Sequence, residues 1–333
     1  MLAAEEFAEI AARFTALMHA VRSLEGEGRR LAIDQLRNAL DRQAEALFPS
    51  EPGFIAGTFS VEDLIHQGQH SRILKLRHRD IGTLHVLKTL ATSAAMAGPS
   101  EVERLIGEAK IGLSLNHPTL TACTMLLRLP DGSPGLLQPW GGHSLLHYLE
   151  VRRRNALRLA QSQQQTGSAT ATTDPSRQDK ADVPPDPRQI LTALLCSIDA
   201  LHSKGLVHGD ISPANILINE TVESTSPAIT LADFGLTIEN GRRWRDLGLA
   251  SIGTPDYSAP EQSADTPATP AMDLFSAGRV LQRILDALGD QFSPSSDRDR
   301  LVAISVELTA ADPAARPKSA REALALLQQQ SKA

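Results

Sequence analysis

Apolar residues change their spacing part-way along this chain of 333 residues, and that change restricts the folds open to it. From Phe54 to about Lys88 they come in short runs, Ile73-Leu74-Lys75-Leu76 and Leu84-His85-Val86-Leu87-Lys88, separated by Gly68 and Gly82. Short runs punctuated by glycine suit the strands of a twisted antiparallel sheet. From Glu101 to Leu115, and again from Gln189 to Leu327 around a Pro-rich interruption between Pro255 and Pro270, the spacing is helical. The expectation is an α+β chain in which a small sheet-rich lobe precedes a larger helical one.

Two segments stand apart from this pattern. Phe7, Ile10, Phe14, Leu17, Val21 and Leu24 fall on one helical stripe, and Ile33, Leu36, Leu40, Ala44 and Leu47 on a second, with Gly26 and Gly28 between them and Pro49 after. They read as a helical hairpin over residues 1–50, which packs on the neighbouring domain or serves self-association or capture of a partner protein. Gln161 to Pro187 is mostly Gln, Ser, Thr, Asp and Pro. With almost no large apolar side chain to offset the entropy of ordering, residues 161–187 are expected to form a disordered insert.

Net charge is -6, and Lys and Arg are scattered, so the basic face that nucleic acid requires is not expected. The acidic start, Met1-Leu2-Ala3-Ala4-Glu5-Glu6, is unlike a signal peptide, and no apolar run of about 18 residues would span a bilayer. Cys123 and Cys196 sit far apart in apolar surroundings and read as buried thiols in a reducing compartment. A cytoplasmic chain follows from these features.

Two short polar stretches carry the chemistry. His208-Gly209-Asp210-Ile211-Ser212-Pro213-Ala214-Asn215 puts a carboxylate and a carboxamide in one loop, as phosphoryl transfer requires for a base and a metal ligand. Asp210 would accept the proton of an attacking hydroxyl, and Asn215 would offer oxygen to a hard cation such as Mg²⁺. Further on, the run Leu231-Ala232-Asp233-Phe234-Gly235 ends in a second carboxylate suited to Mg²⁺. Their ordered pairing is more informative than either alone.

Gly253-Thr254-Pro255-Asp256-Tyr257-Ser258-Ala259-Pro260-Glu261-Gln262 then resembles the end of the activation segment of eukaryotic-type protein kinases, in wording close to the bacterial Ser/Thr kinases. Asp273-Leu274-Phe275-Ser276-Ala277-Gly278 resembles the start of that family's buried helix, and Asp312-Pro313-Ala314-Ala315-Arg316-Pro317 its closing motif. The resemblance implies a two-lobed protein kinase-like fold, with a small antiparallel-sheet N-lobe over about 54–137, a larger helical C-lobe over about 141–330, and a catalytic domain spanning 54–330. It also implies ATP and Mg²⁺, a protein Ser or Thr as substrate, and a buried ion pair between Glu261 and Arg316.

Carried over residue by residue, the resemblance assigns Lys88 to the α- and β-phosphates and Glu108, in Gly107-Glu108-Ala109-Lys110, to holding that lysine. Asp210 is then the base, Asn215 and Asp233 the metal ligands, and Thr254 the residue that bonds Asp210 and favours a Ser/Thr acceptor. The phosphate-covering loop, Ile65-His66-Gln67-Gly68-Gln69-His70-Ser71-Arg72-Ile73, keeps one glycine where the family pattern has three. The amides of Gly68, Gln69 and His70 are expected to reach phosphate and Ile73 to pack on adenine, with His66 and Ser71 avoiding positive φ or tolerating it at some cost. Leu137-Gln138-Pro139-Trp140 resembles the hinge whose backbone reads adenine, Pro139 lacking one amide donor.

Two departures bear on activity. Gly209 stands where regulated kinases carry Arg, so the cationic socket for a phosphorylated activation segment is absent. Ser212 stands where a Lys steadies the γ-phosphate, which implies slow turnover. These features also fit two other readings: a catalytically weak nucleotide-binding pseudokinase or scaffold, and a small-molecule phosphotransferase of the aminoglycoside kinase type. The segment from Gly253 to Glu261 speaks against the latter, and the presence together of Lys88, Glu108, Asp210, Asn215 and Asp233 against the former.

Overall fold

The structure is a computed structural model that describes residues 54–55, 57–68, 70–92, 98–165, 185–220, 227–249, 252–289 and 295–329. The helical hairpin expected over 1–50 lies outside the described residues, as do Gln69 and Ser251. In order the elements are β1 (Phe54–Ile55), β2 (Phe59–Gln67), β3 (Ser71–His78), β4 (Leu84–Leu90), α1 (Pro99–Ser114), β5 (Met125–Arg128), β6 (Pro134–Pro139) and β7 (His143–Ser144). Next come α2 (Leu145–Gln165), α3 (Pro187–His202), β8 (Leu206–Val207), β9 (Ile216–Asn219), β10 (Ala228–Leu231), β11 (Ile238–Glu239), α4 (Pro270–Leu288), α5 (Ser295–Leu308) and α6 (Ala320–Gln329).

The chain divides into two compact units, one of residues 1–61 with 77–82 and one of 62–76 with 83–333. In the first, β1 pairs antiparallel with the start of β2, setting Ile55 opposite Phe59. The Phe59 ring meets His78 edge-on at 5.3 Å, and Arg79 N donates to Thr58 O.

The second unit opens with an antiparallel sheet in the order β2-β3-β4-β6-β5. Because strand side chains alternate between faces, Leu87 is fully buried while its neighbour Lys88 turns to the other side. Register is set by β4 against β6, with Lys88 opposite Leu136 and Val86 opposite Gln138. Helix α1 begins at Pro99, whose missing N–H and fixed φ suit a first turn, and buries Leu105 and Ala109 with Leu90 and Leu136.

The helical part has its own core. Asp186 caps α3 by accepting from Arg188 N, Pro187 follows at the first helical position, and Ile190, Leu191, Leu194, Leu195, Ile198 and Leu201 are buried at three-four spacing. Each such side chain contributes about 1.5–3 kcal/mol relative to exposure. Helix α4 is buried over most of its circumference. It admits α5 at Gly278, where a Cβ would stand 2.7 Å from Leu308 Cβ.

The limits of the insert need correction. Backbone helix α2 continues through Gln165 and α3 starts at Pro187, so the polar composition from Gln161 did not end the helix. Gln is itself a good helix former, so continuing α2 by five residues costs little. Cys123 and Cys196 are unpaired and half-buried rather than fully buried.

Candidate active site

Strand β4 delivers Lys88 and helix α1 delivers Glu108 to one point, where Lys88 Nζ lies 2.9 Å from Glu108 Oε1 and 2.8 Å from Asp233 Oδ1. Burial by itself would lower the Lys88 pKa, but the Asp233 and Glu108 carboxylates outweigh it and hold the ammonium above its ordinary range. Burial pushes Glu108 up to about 7 against the pull of Lys88. Burial likewise disfavours ionised Asp233, yet Lys88 and the Gly235 amide hold it down to about 2.

Local backbone makes this convergence feasible. Asp233 has φ of 65°, the one positive value at a non-glycine among the described residues, a conformation that Asp tolerates better than most. Its Oδ1 accepts from Gly235 N at 3.1 Å. A Cβ on Gly235 would sit 3.2 Å from Glu108 Oε2 and 3.1 Å from Asp233 Oδ1, so the glycine leaves room for the two carboxylates around one lysine.

A second network surrounds Asp210. Thr254 Oγ1 donates to Asp210 Oδ1 at 2.8 Å, while Asn215 Nδ2 donates to Asp210 O at 2.8 Å and to Asp210 Oδ2 at 3.2 Å. The loop hangs from Asp273 at the start of α4, whose carboxylate accepts from His208 N, Gly209 N and His202 Nε2 at 2.9, 3.0 and 2.8 Å. Burial opposes the Asp273 charge, but His202 and these donors keep its pKa below the ordinary value. Arg316, its side chain fully buried, grips Glu261 through two bonds of 2.6 and 2.9 Å and stacks on Phe275. That pairing anchors the far end of the segment carrying Thr254.

A cleft of about 290 Å³ opens between the sheet and these loops. Gly68, His70, Lys88, Glu108, Asp210 and Asp233 line it; Ile73, Gln138, Trp140, Asn215 and Thr254 do not. At the phosphate-covering loop the Gly68 amide donates to Ser71 O at 2.9 Å and so is engaged within the loop's own flanks. His66 and Ser71 escape the positive φ that would have strained them. The His70 ring pairs with Glu101 at 2.5 Å. At the hinge the Trp140 amide donates to Leu84 O, its indole carries the Lys75 ammonium 4.7 Å above the ring, and Gln138 is buried in the β4–β6 ladder.

Arg104 was not identified from sequence, yet it lines the cleft and pulls the Glu108 pKa down. Its place four residues before Glu108 on a helix, hence on the same face, was the available signal. Among the described residues no group of three or more His, Cys, Asp and Glu could hold a metal unaided. Asn215 turns its Nδ2 to Asp210, which leaves its oxygen as the group to meet a cation, and Asp233 adds a carboxylate. Few protein oxygens suit Mg²⁺, which takes its remaining ligands from phosphates and water.

Residues 59–328 match the protein kinase domain family. The chain is 24% identical over 250 residues to a serine/threonine-protein kinase of Drosophila yakuba, covering 75% of this chain and 29% of that protein. It is also 24% identical over 230 residues to the serine/threonine protein kinase ypkA of Aspergillus fumigatus, covering 69% and 31%. It thus spans under a third of the length of these relatives. In fold it is similar to the PknI kinase domain of Mycobacterium tuberculosis, with a TM-score of 0.54, 22% identity, and coverage of 84% of this chain and 99% of that one. With over three quarters of its length matched and the two-lobed α+β architecture in place, the chain belongs to the protein kinase domain family.

Proposed function

We propose that the chain transfers the γ-phosphoryl group of ATP to Ser and Thr hydroxyls of protein substrates. The observation that supports this most is the meeting at Asp210 of Thr254, from the segment ending at Glu261, with Asn215 from the candidate base's own loop. A small-molecule phosphotransferase has no use for such a segment, whereas a kinase that docks an extended peptide beside its base requires one.

In this reading Lys88, held by Glu108, binds the α- and β-phosphates, and Arg104 adds a cation at the cleft wall. Gly68, Gln69, His70 and Ile73 cover the nucleotide, and Gln138 and Trp140 border its base. As the acceptor oxygen bonds to the γ-phosphorus, its proton passes to Asp210 and the bond to the β,γ-bridging oxygen breaks, releasing ADP. Asn215 and Asp233 are the side chains assigned to hold Mg²⁺, which would supply positive charge to offset that of the phosphates. The catalytic domain is taken as 54–330, in a cytoplasmic setting, with the 1–50 segment left for a partner or a second copy. No helix among the described residues is long and apolar enough to cross a membrane.

Because Gly209 replaces the socket arginine, transfer is expected to proceed without a phosphorylated activation segment. Because Ser212 replaces a lysine, it is expected to be slow. A second reading, a nucleotide-binding scaffold, draws on the amides of Gly68 and Trp140, both engaged within the protein. Transfer of labelled γ-phosphate from MgATP to a generic protein acceptor, beside an Asp210→Ala control, separates the two. Phosphoserine or phosphothreonine that disappears in the control supports the kinase; nucleotide binding with no transfer supports the scaffold.

A further inference from the structure

The place of the missing arginine is filled. Gly209 has φ of 78°, and a Cβ there would lie 2.7 Å from Trp244 Cζ2 and 3.2 Å from Leu236 O. No side chain fits without moving the indole, and the backbone conformation itself disfavours any residue but glycine. Trp244 is fully buried, and its Nε1 donates to Leu236 O at 2.8 Å, just beyond Asp233-Phe234-Gly235. It belongs to one buried cluster with Val207, Ile238, Ala259 and Phe275, which come from the strands beside the catalytic loop, the segment ending at Glu261, and α4.

The other side of Gly209 is also held. Its carbonyl accepts from Gln262 Nε2 at 2.7 Å, and Gln262 Oε1 in turn accepts from Ala259 N. The residue preceding the candidate base is therefore clamped between an indole and a carboxamide, both supplied by the segment that docks substrate. Two nearby arginines are already engaged, Arg242 with Glu239 and Arg245 with Asp265.

We propose that Trp244 is the positioning residue of the activation segment: its indole, seated on Gly209, holds that segment against the catalytic loop as a phosphate on an arginine socket would. This rests on the kinase reading above and names what makes the phosphate dispensable. The pin is apolar and needs no added group, so Trp244 and Gly209 are held together as soon as the chain folds.

The experiment uses the full chain, treated with phosphatase and shown to be unphosphorylated by mass spectrometry. Transfer kinetics are compared for wild type, Trp244→Phe and Trp244→Ala, with ATP-analogue affinity measured separately. The expected result is undiminished wild-type transfer and a KM for the protein acceptor raised about tenfold or more in Trp244→Ala, with ATP affinity within about twofold and partial rescue in Trp244→Phe. If Trp244→Ala does not fold, Trp244→Phe decides: it loses the bond to Leu236 and part of the ring seated on Gly209, and faster proteolytic cleavage between 236 and 261 is expected. Loss of wild-type transfer on dephosphorylation overturns the proposal. So do unchanged acceptor KM and cleavage in the variants, or ATP affinity falling in step with acceptor KM. No transfer by wild type under any phosphorylation state overturns the kinase reading itself, and is told apart by that.

Discussion

Thr254 Oγ1 donates to Asp210 Oδ1 over 2.8 Å, joining the end of the activation segment to the candidate base. A hydrogen bond to a charged group contributes about 1.5–3 kcal/mol, and here it fixes the orientation of the carboxylate that must meet the acceptor hydroxyl. Thr254→Ala is expected to lower kcat by about ten- to a hundredfold with little change in KM for ATP, and Thr254→Ser to restore most of it. Steady-state kinetics on one protein acceptor checks this; equal loss in Ser and Ala variants would count against the bond.

The buried Arg316 pairs with the partly exposed Glu261 at the end of the segment, and Arg316 also donates to the carbonyls of Ala271 and Ala310. Removing one partner of such a pair strands the other, at a cost of about 3–5 kcal/mol. Urea unfolding should show that loss for Arg316→Ala. Glu261→Ala combined with Arg316→Ala should cost less than the sum of the two single changes.

Glu108 sets a pH dependence of activity and an opposite one of stability. Its carboxyl, ordinarily near 4.5, is raised to about 7, and only its ionised form holds Lys88. The value of kcat/KM for ATP should therefore rise as pH passes upward through about 7. Between those two pKa values the folded chain keeps a proton that the unfolded chain releases, so this group's contribution to stability falls as pH rises through the same window. Rate profiles from pH 5.5 to 8 and melting midpoints beside Glu108→Gln test both slopes. A flat profile in wild type would contradict the assignment.

Asp273 accepts from two consecutive loop amides and from His202. Asn offers one acceptor oxygen in place of two and turns an NH₂ group toward a donor. Asp273→Asn is expected to cost about 2–3 kcal/mol and to reduce kcat more than nucleotide affinity, because Asp210 sits next to the anchored pair. Thermal unfolding with parallel ATP-analogue titration measures the two effects.

Much of this molecule is local in sequence, and local features are legible. The period of the apolar residues separates strands from helices because side chains alternate at two in one and at about 3.6 in the other. The helix from Glu101 and the strands holding Ile73 and Lys88 lie where their periods place them, within a few residues. Asp210, Asn215 and Asp233 stand out as polar side chains suited to phosphoryl transfer in short loops, and Thr254 through the family resemblance of the segment that carries it. The composition from Gln161 misled because solubility and helix formation are separate properties, and Gln serves both.

What sequence determined by itself is the inventory: which carboxylates, which lysine, and the family whose motifs they share. Tertiary structure alone decided how those groups are spent. The Gly68 and Trp140 amides are committed to Ser71 and Leu84, Arg104 turns into the cleft, and Trp244 occupies the space over Gly209. All but the Gly68–Ser71 bond depend on which atoms meet across tens of residues, and close packing settles that only once the whole core has formed.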